Sequence, residues 1–265
     1  MAQPGAYLPI MILAYKNRKK VKPFADGCHA VWADLEAIHA NTQWPMILSG
    51  ITNTEPIHQA QKHGLDFWYI DTGYLGNNKR KTYLRVCKNS LHASGDIIAR
   101  PRDRLDRLQV DTTRISRGNS ILIIPPDIKQ ASHFNLGNVD AWLADTVARI
   151  QDLTDRPIKI RHRPASRTTR MIEDTLVQAL SQDINAVVTF ISSSSVESVL
   201  HDIPVISLGP SACVKMCPWT LDQVDAVPDI DAEVKEAWMR HLSYCQFTEH
   251  EMLSGQAWQI LQEQS

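Results

Sequence analysis

A rhythm in the second half of this 265-residue chain limits its possible folds more than any other feature. Short, mainly apolar runs rich in β-branched residues alternate there with stretches of helical periodicity. Ser120–Ile124 is closed by Pro125-Pro126; Pro157–Arg161, Ala186–Ile191 and Pro204–Leu208 follow. Between them lie Val139–Asp152, with Val139, Trp142, Leu143, Val147 and Ile150 on one stripe, then Met171–Ser181 and Ser194–Leu200. A strand that is apolar on both faces has to be covered on both. Strands alternating with helices through short connections therefore predict a parallel sheet between two helical layers.

The first half carries a looser version of the pattern. Leu8–Tyr15, Pro45–Ser49, Phe67–Asp71 and Thr82–Lys88 predict strands. Val31–His39 and Glu55–His63 predict helices, the second stopped by Gly64 in the manner of a glycine just past a helix end. Ser94–Asn119 is polar and charge-dense and reads as a connection. Further helices are expected over Val234–Ser243 and Glu249–Gln262. The expected class is α/β: two lobes, residues 1–117 and 118–244, each a parallel sheet flanked by helices, and a closing segment 245–265. No internal repeat or low-complexity tract is visible.

Composition narrows the function classes. A 43% hydrophobic and 22% charged chain is ordinary for a globular protein. No apolar run approaches the roughly 20 residues that span a bilayer. Apolar Leu8–Ala14 is followed rather than preceded by basic residues, opposite to a secretory leader. It reads as a first buried strand, and a cytoplasmic location is expected. The five cysteines form no C-x-x-C. Cys213 and Cys217 are spaced to share a helix face, but two ligands do not make a zinc site, so buried, reduced thiols are expected. Charge is uneven: 17 Lys and Arg against 11 Asp and Glu through Ile128, then 11 against 18. A basic first half suits an anionic partner, or else two solvated surfaces of drifting composition.

In an open α/β sheet, ligands bind outside the carboxyl ends of the strands. Three polar groups of the second half fall there: Arg161-His162-Arg163-Pro164, Ser192-Ser193-Ser194-Ser195-Val196-Glu197, and Gly209-Pro210-Ser211. The serine run sits where a strand turns into a helix, with backbone N–H groups suited to phosphate and hydroxyls that add donors without bulk. Arg161 and Arg163 would neutralise a diphosphate, and Glu197, one turn on, would accept both ribose hydroxyls. The alternative is local: Ser194-x-x-Glu197 is also an ordinary capping box. The chain lacks the dinucleotide-binding glycine pattern, a phosphate-loop motif and the Gly-x-Ser-x-Gly elbow, which turns the reading from oxidoreductases, ATPases and α/β-hydrolases. Asp229-Ile230-Asp231 has the form of a metal-diphosphate grip. It comes after the last strand, so a surface loop or helix start is expected and no essential metal.

The stretch from Ala186 to Pro210 resembles the donor half of GT-B glycosyltransferases of the capsule-polysaccharide type. Their pattern runs D-x-V-V-T-x-x-S-S-x-x-x-E-A-x-x-x-G-x-P-V; here Asp202 stands at the usual glycine, and His162-Arg163-Pro164 stands for the phosphate-binding His-Pro. Phe24–Cys28, Trp68–Tyr74, Tyr83–Val86, Ile121–Pro126, Trp142–Asp145, Thr154–Pro157, Glu236–Trp238 and Trp258 extend the likeness to small phage-encoded glycosyltransferases. The resemblance implies two Rossmann-like lobes, a metal-independent hexosyl or pentosyl transfer, and a nucleotide-sugar co-substrate, a UDP-sugar foremost, in place of a tightly bound cofactor. Arg161, His162, Arg163, Ser192, Ser193, Ser194, Ser195, Glu197 and Gly209 would hold the donor, with Gly27 in a tight loop facing it. Asp71 would be the general base, or else a structural residue capping the Thr72–Tyr74 turn. The closing helix would pack back on the first lobe.

Lys19, Lys20, Tyr74, Lys79 and Arg80 are the expected acceptor contacts. With Arg100–Arg107 they motivate double-stranded DNA bearing hydroxymethylated pyrimidines as the leading acceptor, bound through phosphates. A capsule or other surface glycan, an inactive nucleic-acid-binding protein and a sugar-nucleotide epimerase are the alternatives. No membrane insertion is expected, and the oligomeric state is left open.

Overall fold

Two sheets organise the computed structural model, which describes residues 11–15, 19–76, 82–162 and 175–263. They belong to two compact units. Unit 1 comprises Met1–Gly73, Asn77–Leu91 and Gln246–Ser265; unit 2 comprises Tyr74–Gly76 and His92–Cys245. Residues 92–117, expected with the first lobe, thus belong to the second unit.

In unit 2, β6 (Ser120–Ile124), β7 (Ile158–Ile160), β8 (Ile184–Thr189) and β9 (Val205–Ser207) form a sheet of order β7-β6-β8-β9. All three pairings are parallel. Every residue of β6 and β8 is buried, and the strand alternation sorts them to two faces. Ile121, Ile123, Ala186, Val188 and Ile206 pack with Ile150, Leu221 and Val224. Leu122, Ile124, Val187 and Val205 pack with Leu180, Val196, Val199 and Trp238. Helices supply these layers because their apolar residues recur with a turn's spacing.

Unit 1 contains β1 (Leu13–Tyr15), β2 (Val31–Ala33), β3 (Met46–Leu48), β4 (Phe67–Thr72), β5 (Tyr83–Lys88) and β10 (Gln246–Thr248), in the order β10-β5-β4-β3-β1-β2. Strands β1 to β4 are parallel, but β5 runs antiparallel to β4 and β10 antiparallel to β5. The expected all-parallel sheet is therefore a mixed one. Only residues 73–82 join β4 to β5, fewer than a crossover needs, so the chain turns back beside itself.

The described helices are α1 (Lys22–Gly27), α2 (Leu35–Ala40), α3 (Glu55–Lys62), α4 (Asp103–Asp106), α5 (Ile128–His133), α6 (Val139–Gln151), α7 (Leu176–Leu180), α8 (Ser194–Leu200), α9 (Ala232–Ser243), α10 (Glu249–Leu253) and α11 (Gln256–Gln262). Several depart from expectation. Val31–His39 is not one helix: Val31–Ala33 pairs with β1, and Asp34 then caps α2 by accepting the Ala37 N–H. The helix expected over Glu249–Gln262 is broken at Gly255, whose φ of +77° leaves the helical region. Lys22, expected in a basic loop, is the first residue of α1, where Pro23 is tolerated because a first-turn N–H has no helical partner. Residues 8–10 and 171–174, parts of an expected strand and helix, lie outside the described residues. None of the described helices is long and apolar enough to cross a membrane.

Candidate functional site

The order β7-β6-β8-β9 fixes where a ligand can enter unit 2. Counted in chain order within the unit it is 2-1-3-4, so the direction of winding reverses between β6 and β8. The carboxyl ends of strands on either side of such a reversal are the usual ligand position in open α/β sheets. Pro125-Pro126-Asp127 leaves β6, and Phe190-Ile191-Ser192-Ser193 leaves β8. Thr189 Oγ1 donates to the Ile124 carbonyl at 2.8 Å and ties the two strand ends together. Arg161 follows β7 and Gly209 follows β9, at the same end of the sheet.

The serine turn does not form the local capping box. Helix α8 is preceded by Ser193, in a helical backbone conformation and making no side-chain cap bond. Ser192 Oγ instead accepts the Ser194 N–H at 3.1 Å, and Ser195 Oγ donates to the Ser192 carbonyl at 2.7 Å. Ser193 is exposed and Ser192 and Ser194 are half-buried, whereas Ser195 is completely buried. Ser195 is thus removed from the expected donor contacts: its hydroxyl holds the turn's shape.

Glu197 lies one turn into α8 with its side chain open to solvent. Desolvation of the carboxyl by the protein packed around it still raises it above the usual range, while the charges of His201 and Arg161 pull it down. Arg161 follows β7 and Glu197 lies one turn into the helix that follows β8. His162 is exposed, and Arg163 lies outside the described residues. Gly209 is explained by packing: a Cβ there would meet the Phe190 ring at 2.8 Å. Phe190 belongs to an aromatic group with Phe134 and Trp142, centroids 5.2 and 6.5 Å away, that walls the β8 end. Residue-by-residue reading missed this group and α5. Asp127 and Gln130 form the capping box that starts α5, and the D-x-x-Q spacing was there to be read.

In unit 1, Asp71 lies near the carboxyl end of β4, directly across from Arg85 on β5. Lys20, in the loop after β1, contacts Asp71 Oδ1, and Arg85 Nη2 stands 3.5 Å from Oδ2. Oδ1 also accepts the Thr72 N–H at 2.8 Å. Burial raises the Asp71 carboxyl, but Arg85 and Lys20 outweigh it and hold the group below the usual carboxylate range. Arg85, within the Tyr83–Val86 run but expected to play no part in the site, is buried; it also donates to the carbonyls of Leu91 and Thr72.

Other expected contacts are otherwise engaged. The Tyr74 hydroxyl accepts the Ala93 N–H at 2.9 Å. Gly27 is not in a loop. It ends α1, where a Cβ would sit 1.8 Å from the Met252 carbonyl oxygen, so glycine there lets α1 lie against α10. Lys19 is exposed; Lys79 and Arg80 lie outside the described residues. Of the basic clusters expected to meet DNA, Lys20, Lys22, Arg102 and Arg107 pair with Asp71, Asp26, Asp106 and Asp103. Asp231 caps α9 through the N–H groups of Glu233 and Val234, and Asp229 pairs with Arg117 at 2.7 Å. Both carboxylates of the D-x-D therefore have structural work. Cys213 and Cys217 are buried free thiols, the latter pushed up to about 12 by burial.

No known protein family and no curated protein matches the sequence. Among solved structures, the chain is similar to the β-Kdo 2,4 transferase of Thermosulfurimonas dismutans KpsC. The identity is 11% and the TM-score 0.45, over 88% of this chain and 91% of that one. It is also similar to the β-Kdo 2,7 transferase of the same protein, at 9% identity and a TM-score of 0.47, over 96% and 100%.

Proposed function

We propose that this chain is a glycosyltransferase that takes a nucleoside-diphosphate sugar at the carboxyl end of the β7-β6-β8-β9 sheet. The observation that carries the proposal is the position of the serine turn: it leaves β8 at the winding reversal, with Arg161 after the neighbouring β7 and Glu197 one turn into the following helix. Ser192, Ser193 and Ser194 offer hydroxyl and backbone donors to the diphosphate. Arg161 offsets its charge, and Glu197 accepts hydrogen bonds from the ribose hydroxyls. The acceptor hydroxyl attacks the anomeric carbon, the bond from that carbon to the diphosphate breaks, and the nucleoside diphosphate departs with the bonding pair. Cations and hydrogen-bond donors stabilise the charge that develops on it. Asp71 is the carboxylate proposed to take the acceptor's proton. Its ion pairs keep it ionised and ready, at some cost in basicity.

A glycan hydroxyl is the acceptor we favour, because Lys20, Lys22, Arg102 and Arg107, described basic residues that motivated DNA, face carboxylates of this chain. Calorimetry with UDP-sugars tests the donor site. Glu197→Gln should bind ~10- to 100-fold more weakly, the worth of a charged hydrogen bond; undiminished affinity would reject the site. Asp71→Asn should bind donor normally and lose turnover, read by mass spectrometry of glycans and hydroxymethylated DNA after incubation with a nucleotide-sugar panel. A mass increment on DNA alone would overturn the acceptor assignment.

A further inference from the structure

Buried arginines in unit 2 generally have their donors occupied. Arg117 reaches the Asn185 and Val227 carbonyls, the Asn185 side chain and Asp229. Arg104, nearly shut off from solvent, donates from Nε to the Ser243 carbonyl. Arg100 departs from this rule. Its Nε and Nη2 are both buried, and neither has a partner among the described residues. These two nitrogens share one edge of the guanidinium, the fork whose parallel N–H groups match the two oxygens of a carboxylate.

The surroundings make the edge more anomalous. Arg100 and Arg104 lie over the ring of Tyr244, their central carbons 5.3 and 5.5 Å from its centroid. Such stacking favours cations but supplies no hydrogen-bond acceptor to the fork. His241 adds no counter-charge: its Nδ1 accepts the Ile98 N–H, which places the neutral ring's proton on Nε2, toward Cys245 Sγ. The neighbouring carboxylates are committed. Asp103 accepts the Tyr244 hydroxyl at 2.6 Å, and Glu236 is shared by Arg102 and Arg240. A permanently charged group with two buried donors that no described residue accepts lacks an oxyanion.

We infer that the Arg100–Arg104–Tyr244 corner is a carboxylate-binding site, in which the Nε/Nη2 edge of Arg100 grips the two oxygens of a small carboxylic acid. This site rests on none of the observations behind the donor site. Arg100 as a residue is half-buried, so part of its side chain reaches solvent although the fork itself is covered.

Thermal melts and calorimetry on the full chain test this, with acetate, glucuronate and inorganic phosphate compared against chloride at matched ionic strength. Acetate and glucuronate should each raise Tm, glucuronate more if the physiological source is an acidic sugar and equally if it is a simple acid. Arg100→Met should weaken carboxylate binding ~10- to 100-fold. It should also leave Tm in chloride unchanged or raised, because it removes a charge that has no partner. Arg100→Lys, which keeps the charge and loses the fork, should fall between. A larger response to phosphate than to carboxylate would overturn the assignment. So would carboxylate effects equal to chloride, or a marked fall in the Tm of Arg100→Met in chloride, either of which makes Arg100 structural.

Discussion

At the residue scale, the groups that matter are those whose charge is set by their neighbours. Asp71 and Glu197 are both carboxylates near strand ends. Arg85 and Lys20 hold the first firmly ionised, while the protein around Glu197 raises the second. One lies near the end of a strand and the other a turn into a helix, and their environments divide them further. His241 gives the clearest test. It is buried, and burial, then Arg100, lowers its pKa from 6.5 to about 4. Between those values the unfolded chain binds a proton that the folded chain refuses, so stability is full above pH 6.5 and is lost as pH falls toward 4. The loss approaches roughly 3 kcal/mol over that window. Denaturant melts at half-unit pH steps should show this slope, and His241→Gln should flatten it. An unchanged slope in the variant would place the acid sensitivity elsewhere.

At the element scale, the connection from α8 to β9 shows how a pattern can survive a substitution. Asp202 stands where the resembled pattern has glycine, and its φ of +62° is the left-handed conformation that glycine adopts without strain. Aspartate tolerates that region better than most side chains, and here it gains a partner. Lys235, 9% exposed at its side chain, donates to Asp202 Oδ1 and to the Leu200 carbonyl, both at 2.7 Å. The departure from the pattern is therefore compensated from α9. Asp202→Asn keeps the turn and strips the counter-charge from a buried ammonium, so it should destabilise by about 3 kcal/mol. Adding Lys235→Met to Asp202→Gly should bring stability back to within about 1 kcal/mol of the parent. Urea denaturation of the single and double variants checks this; additive losses would show that the pair does not act as a unit.

At the scale of the whole molecule, the two sheets share a plan that the sequence does not display as a repeat. Strands β2-β1-β3-β4 and β7-β6-β8-β9 both have the order 2-1-3-4, so each unit has its own winding reversal. Unit 1 differs by its two added antiparallel strands, one of which comes from the end of the chain. Residues Phe247, Met252, Ala257 and Leu261 enter the same core as Ile47, Trp68 and Ile70, and Trp258 meets Trp68 edge-on at 4.9 Å. Deleting residues 246–265 should therefore uncover both an apolar face and the edge of β5, and exposed edges recruit other chains. The shortened chain should aggregate or show an early melting transition by circular dichroism. A single transition at the parent Tm would mean that the closing segment is dispensable.

The sequence by itself determined the parallel core of unit 2. Runs such as Ser120–Ile124 have no polar face to turn to water, and a buried strand has few alternatives. Helix α8 was legible to the residue, and so was the carboxyl-end placement of the serine turn, because both follow from local periodicity. Tertiary structure alone decided the antiparallel β5 and β10, the split of Val31–His39 and the break at Gly255. Each depends on which distant backbone offers hydrogen bonds. It also decided which charges are free. Arg85 meets Asp71 across two strands, and Arg100 meets Tyr244 from the far end of unit 2's chain; linear spacing carries neither contact, since a guanidinium's state is fixed by the groups that surround it in space.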